Sequence, residues 1–235
     1  DGDSTCDANY LQGLHTHFQS TPKTPACSLY FEHPLKGVLN ADIYAAVIEY
    51  ELFLRYYVQG LHYADFPWAF HTIGSSMAVR SDAYQKQGGM NRRKAGEDFY
   101  FLQRMFRLGG FTELNSTKIT PSPRISDRVP FGTGKAVADW QLKRSMTTYD
   151  PKVFADMKLF MERGPEFFSS RANSTISILP ESIRLFLTEN NFESELERIK
   201  RSSKSKEMFL KSFFNWFDGF RAKKSSVCVP PSRIS

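Results

Sequence analysis

Three short groups of residues have types and spacings that could do chemistry. Asp1 and Asp3, in DGDS, set two carboxylates one residue apart. At the end of a strand such a pair can hold Mg2+ or Mn2+ through hard oxygen ligands, and such a cation suits a diphosphate. In that arrangement Asp3 ligates the metal directly, and Asp1 meets a donor hydroxyl or a metal-bound water. Solvated charge at a frayed terminus is the plainer account. Glu97 and Asp98, in AGEDFYFLQRM, fall in the first turn of a predicted helix, where backbone N–H groups favour negative charge. They can act as caps. Alternatively Asp98 is a general base that takes the proton of an attacking hydroxyl while Glu97 orients the acceptor. Arg124 and Arg128, four residues apart in PSPRISDRVPFGTG, can grip a diphosphate with both guanidinium groups or pair with surface carboxylates.

These groups need elements to position them. The pattern predicts a short helix after the aspartates and a strand around Ser28 to Glu32. Ile43, Val47, Ile48, Tyr50, Leu52, Phe53, Tyr56 and Tyr57 then give a broad apolar helical face, capped by Asn40 or Asp42 and ending near Gly60. Ala69 to Arg80 (AFHTIGSSMAVR) reads as a strand interrupted at Gly74, Ser75 and Ser76. Ser81 then caps a short helix stopped by Gly88 and Gly89. The helix starting at Gly96, Glu97 and Asp98 has its apolar stripe at Phe99, Leu102, Met105 and Phe106 and ends at Gly109 and Gly110. A strand over Phe111 to Ile119 leads into the arginine loop. Beyond about Lys135 helices dominate, near Lys135 to Met146, Pro151 to Arg163, Glu181 to Thr188, Phe192 to Arg201 and Lys206 to Ala222.

Taken in order, DGDS, HTIGSSMAVRSDAYQKQGGM, AGEDFYFLQRMFRLGGF and PSPRISDRVPFGTGK resemble the later half of a family 2 glycosyltransferase catalytic domain of the GT-A type, over roughly residues 1–137. The resemblance implies an α/β class, with a partial, Rossmann-like mixed sheet over 1–137 and a mostly α-helical extension over 138–235. It makes Asp1 and Asp3 the metal and donor motif, with Mg2+ or Mn2+ as cofactor. Gly74, Ser75 and Ser76 fall beside the donor sugar, and Asp98 is the base of an inverting transferase with Glu97 at the acceptor. Arg124 and Arg128 reach the diphosphate or the acceptor. The loop lacks the Gln-x-x-Arg-Trp signature of processive synthases, which argues against a cellulose- or hyaluronan-type polymerase. The implied partners are a nucleotide-sugar donor and a saccharide or lipid-linked acceptor. The family's N-terminal nucleotide-binding strands do not precede Asp1, so the isolated chain is expected to bind donor poorly and turn over little, and its open sheet edge favours oligomers. A non-catalytic carbohydrate-binding or protein-interaction module on the same fold is the alternative. His71, beside the small-residue segment, could assist, although a lone histidine on a strand is more often packed.

Composition bounds the rest. With 41% hydrophobic residues in 235 the chain can bury a core, and its 21 phenylalanines and 10 tyrosines have to be buried or used. Cys6, Cys27 and Cys228 have no framework spacing, so a reducing compartment fits better than a disulfide scaffold. No apolar run is long enough for a transmembrane helix or a signal peptide, which gives a cytoplasmic expectation. The charge of +6 concentrates in RIKRSSKSK (198–206) and RAKK (221–224). Zinc-finger, KH and RRM signatures are absent, so nucleic acid is not expected. The segment MFLKSFFNWFDGF, Met208 to Phe220, could lie at the inner face of a membrane. Packing against the other C-terminal helices is the plainer account of it.

Overall fold

The computed structural model describes residues 3–91, 96–125, 132–169, 172–226 and 232–233. Of the sequence candidates, Asp1 and Arg128 lie outside the described residues. The chain divides into two units, residues 1–55 with 70–146 and residues 56–69 with 147–235. The sequence reading puts its change of character at 137/138. The division falls after Met146 and assigns 56–69 to the second unit.

The first unit contains β1 (Thr5–Cys6), α1 (Tyr10–Ser20), β2 (Ala26–Phe31), the start of α2 (Ala41–Tyr63), β3 (Met77–Val79), α3 (Ser81–Lys86), α4 (Glu97–Leu108), β4 (Thr112–Thr120) and α5 (Thr133–Lys143). Its strands form one mixed sheet in the order β1-β4-β2-β3. β2 and β4 are parallel, while β1 and β3 pair antiparallel at the edges. The fold is therefore α/β. Every residue of β2 except Tyr30 is buried, as expected for a central strand covered on both faces. Its Cys27, Leu29 and Phe31 share a core with Leu114 and Ile119, against which Leu14, Phe18 and Leu54 pack.

Three local readings change. Asn40 Oδ1 accepts from Asp42 N at 2.9 Å and so caps α2, but the helix continues three residues past Gly60. Gly60 is there for packing: a Cβ would meet the Phe154 ring at 2.5 Å. The helix stops where Asp65 turns left-handed (φ 55) and Phe66 N donates back to Leu61 O at 3.0 Å. The long strand expected over Ala69 to Arg80 shrinks to Met77–Val79, because Gly74 and Ser75 form a turn before it. Ser81 is the first helical residue of α3, with Arg80 in the cap position. The start of α4 is as expected, and Gly96 precedes it at φ 73, a conformation that favours glycine.

The second unit contains β5 (Thr147–Thr148), α6 (Pro151–Arg163), a 3-10 turn (Gly164–Phe168), α7 (Ala172–Ile176), α8 (Glu181–Glu189), α9 (Phe192–Ser202), α10 (Lys206–Trp216), α11 (Gly219–Ser225) and β6 (Ser232–Arg233). Asp150 caps α6 by accepting from Lys152 N at 2.8 Å, with Pro151 at the first helical position. The single helix expected over Lys206 to Ala222 is two. The buried Asp218 carboxylate accepts from Phe220 N and Arg221 N, at 3.1 and 3.2 Å, and starts α11 afresh.

The aromatic residues are spent on this core. Phe160, Phe167, Phe192, Phe213 and Phe217 are all fully buried, with Phe160 and Phe217 edge to face at 5.0 Å between ring centres. The aromatic face of α10 belongs to the same cluster through Phe209, Phe213 and Trp216. Phe209, Phe213 and Trp216 thus take up the packed alternative for this segment. Among the described residues no helix is long and apolar enough to cross a membrane.

Candidate active site

Parallel strands place their carboxyl ends at one edge of a sheet, and open α/β sheets bind ligands in the crevice outside those ends. β2 ends at Phe31 and β4 at Thr120, after which the chain runs to His33 and to Arg124. β1 is antiparallel to β4 with Thr5 opposite Thr120, so Asp3 lies past that same end. β3 is antiparallel to β2, and Leu29 N donates to Ser76 O at 2.9 Å. The Gly74–Ser76 turn therefore precedes β3 at this edge too.

The sequence candidates meet there as two pairs. In the first, Gly74 lies against Asp98. The Gly74 backbone closes on the Asp98 carboxylate: a Cβ on Gly74 would sit 2.6 Å from Asp98 Oδ2. Only glycine permits this approach. Phe99 N also donates to Asp98 Oδ1, at 2.7 Å. Partial burial pushes the Asp98 carboxyl up from its ordinary value, and the neighbouring Glu97 charge adds to the rise. The N–H groups of Phe99, Asp98 itself and Gly74 oppose it without cancelling it. Glu97 is the first residue of α4 and is partly exposed.

In the second pair, Arg124 Nε donates to Asp3 Oδ2 at 2.7 Å, with the side chains 50% and 30% exposed. The sequence offered Arg124 either a diphosphate or a surface carboxylate, and the carboxylate it meets is Asp3. Among the described residues no three His, Cys, Asp or Glu side chains gather as a metal-ligand group. Asp3 supplies hard oxygen of the class that Mg2+ and Mn2+ prefer, and an exposed guanidinium on one of its oxygens is a replaceable partner. One carboxylate with a guanidinium on it does not make up a ligand set for such an ion.

Ser75 is partly exposed, but Ser76 is buried and its hydroxyl meets no hydrogen-bond partner among the described residues. Ser76 is thus not available to a donor sugar. His71 packs its ring edge to face on Phe31 at 5.0 Å, the packed alternative for a lone histidine.

Sequence reasoning missed the buried network behind this edge. His33, 2% exposed, gives both its backbone N–H and its Nδ1–H to Glu51 Oε2, at 2.7 and 2.9 Å. Arg55 donates Nε and Nη2 to Glu51 Oε1, at 3.0 and 2.6 Å, and Nη2 also to the Phe31 carbonyl at 2.8 Å. Burial alone would push the Glu51 carboxyl up. The His33 hydrogen bonds and then Arg55 outweigh it and bring the group down to about 2. Because Glu51 is a carboxylate, Nδ1 is the donor, which leaves His33 Nε2 facing Thr133 Oγ1 at 3.3 Å, at the start of α5. Tyr50, adjacent on α2, is held up to about 12 by burial and then by the Asp98 charge, so it is a neutral phenol near that carboxylate. Glu51 and Arg55 stand i, i+4 on a helix, a spacing visible in sequence. Their link to His33 is not.

No family model, curated protein or solved structure matches the chain.

Proposed function

We propose that this chain carries the acceptor side of a nucleotide-sugar-dependent glycosyl transfer centre of the GT-A type, working with inversion. The observation that carries the reading is the contact of Gly74 with Asp98. A carboxylate with a raised pKa, held by the Phe99 N–H and closed in by Gly74 at the carboxyl edge of a parallel pair, is equipped to be a general base.

In this reading Asp98 takes the proton of an acceptor hydroxyl, on a saccharide or a lipid-linked acceptor, that Glu97 orients. The hydroxyl oxygen bonds to the anomeric carbon as the bond from that carbon to the diphosphate oxygen breaks, so the configuration inverts. Gly74 and Ser75 border the donor sugar, and Arg124 with Arg128 meets the diphosphate. A Mg2+ or Mn2+ ion would fall to Asp3 with Asp1 and would supply neutralisation of charge on a nucleoside diphosphate. The reading carries with it a cytoplasmic reaction, with the inner membrane face as its site where the acceptor is lipid-linked.

The Asp3–Arg124 pair favours a second reading. If that pair is a permanent surface ion pair, the chain is a non-catalytic carbohydrate-binding or protein-interaction module. Asp98→Asn in the intact protein separates the two. A transferase loses about 10²–10⁴-fold in turnover and keeps its nucleotide-sugar affinity by calorimetry. Unchanged turnover removes Asp98 as the base, and no donor binding by the unmodified protein favours the module.

A further inference from the structure

We infer that the loop between β2 and α2, residues 34–40, together with the end of α5, docks on an anionic lipid bilayer. The inference deepens the membrane-face part of the reading above but rests on none of its chemistry, since it holds for a transferase and for a binding module alike.

Three observations carry it. First, the loop shows aliphatic side chains to water from a fixed base. Gly37 lies so close to Tyr44 of α2 that a Cβ there would meet the Tyr44 hydroxyl at 2.5 Å, and Leu39 N donates to that hydroxyl at 3.2 Å. From this clamp Leu35 stands 60% exposed and Val38 fully exposed, with Leu39 exposed beside it. A single exposed apolar residue is ordinary, but a cluster of them on one short loop marks a contact surface. Second, the end of α5 joins the loop. Arg144, which follows α5, donates Nη1 to Asp42 Oδ2 at 2.7 Å at the start of α2, and Ala46 and Val47 pack with Val137 and Trp140. Leu142, 84% exposed, is thereby held at the end of the unit where the loop enters α2. Third, the charges suit an anionic surface. Residues 34–44 and 135–144 carry Lys36, Lys135, Lys143 and Arg144 against Asp42 and Asp139, and those carboxylates already pair with Arg144 and Lys135. Protein interfaces gather Tyr, Trp, Phe and Met and are depleted in Lys. Exposed Leu and Val among lysines have instead the composition that sinks aliphatic groups to the headgroup boundary while cations meet anionic lipid. The loop leaves β2 directly after His33, so docking through it sets the candidate site beside the lipid surface.

The test is co-sedimentation of the intact protein with vesicles of phosphatidylcholine and phosphatidylserine at about 0.15 M salt. The basic runs near the C-terminus also attract such vesicles, so the decisive quantity is the difference between wild type and variants. Leu35→Ser with Val38→Ser is expected to lower the vesicle partition by at least about tenfold, through loss of two aliphatic side chains from the interface. Lys36→Gln is expected to lower it by about fivefold. At about 1 M salt the effect of Lys36→Gln disappears and that of the serine pair persists. All three positions are exposed, and circular dichroism confirms that the fold is kept. Wild type that does not sediment with these vesicles, or a serine pair that sediments as wild type does, overturns the inference. A dimer in light scattering that the serine pair dissolves, with no vesicle binding by wild type, assigns the face to a second copy of the chain and overturns it as well. Asp98→Asn is expected to bind vesicles as wild type does, so failure of the transfer reading leaves this result standing.

Discussion

Glu51→Gln is the perturbation whose size the structure fixes best. Glu51 is 13% exposed at the side chain, and both its oxygens accept only: Oε2 from His33, Oε1 from Arg55. An amide has one acceptor oxygen and one NH2. Whichever way it turns, its NH2 faces either the His33 donors or the Arg55 guanidinium, and a buried donor loses its partner. The fall of the carboxyl from 4.5 to about 2 corresponds to about 3 kcal/mol in favour of the carboxylate in the folded chain. Loss of one partner from a buried ion pair costs about 3–5 kcal/mol, in agreement. A depressed folded pKa stabilises the fold in full above the unfolded value and loses that contribution as pH falls through the folded one. Glutamine does not titrate there, so the gap between wild type and variant is constant from pH 7 to about 5 and closes below about 4.5. Native-state hydrogen exchange at the β2 amides Leu29 and Phe31 reads it directly. The expected loss of protection is roughly 200-fold at pH 6 and about tenfold at pH 3. A loss under tenfold at pH 6, or one of the same size at pH 3, refutes the electrostatic account of this network.

Two further outcomes follow from the Asp98 neighbourhood. The folded pKa of Asp98 is raised, so its contribution is favourable in acid and is lost as pH rises through the folded value; Asp98→Asn is therefore expected to raise stability to urea at pH 7 and to lose that gain toward pH 3. Gly74→Ala forces a Cβ to 2.6 Å from Asp98 Oδ2; the carboxylate must move, with about 1–3 kcal/mol lost in urea unfolding, and unaltered stability refutes a close Gly74–Asp98 contact.

What the sequence disclosed and what it hid divide along local and non-local lines. The bounds of α6 are legible because Asp150, Pro151 and Arg163 are local signals, and α4 because Gly96 and Gly109 frame it. Gly60 misleads, since nothing nearby in sequence announces the Phe154 ring that requires a glycine inside α2. The break before α11 depends on whether Asp218 turns inward to cap, which composition alone does not decide. Within the candidate site, Asp98 and Gly74 carry recognisable motifs. His33 hides in a short loop and acquires meaning only when β2 brings it to Glu51, eighteen residues on. The partner of Arg124 is not legible locally, because the β1–β4 register that sets it against Asp3 joins segments more than a hundred residues apart.

The measurement that bears most directly on glycosyl transfer with Asp98 as base is the anomeric configuration of the product. With the intact protein, Mn2+ and a panel of nucleotide sugars, proton NMR is expected to find transferred sugar whose anomeric coupling is opposite to that of the donor. No covalent glycosyl-protein adduct should form by mass spectrometry. Retention of configuration, or no transfer from any donor, would contradict a single displacement assisted by Asp98.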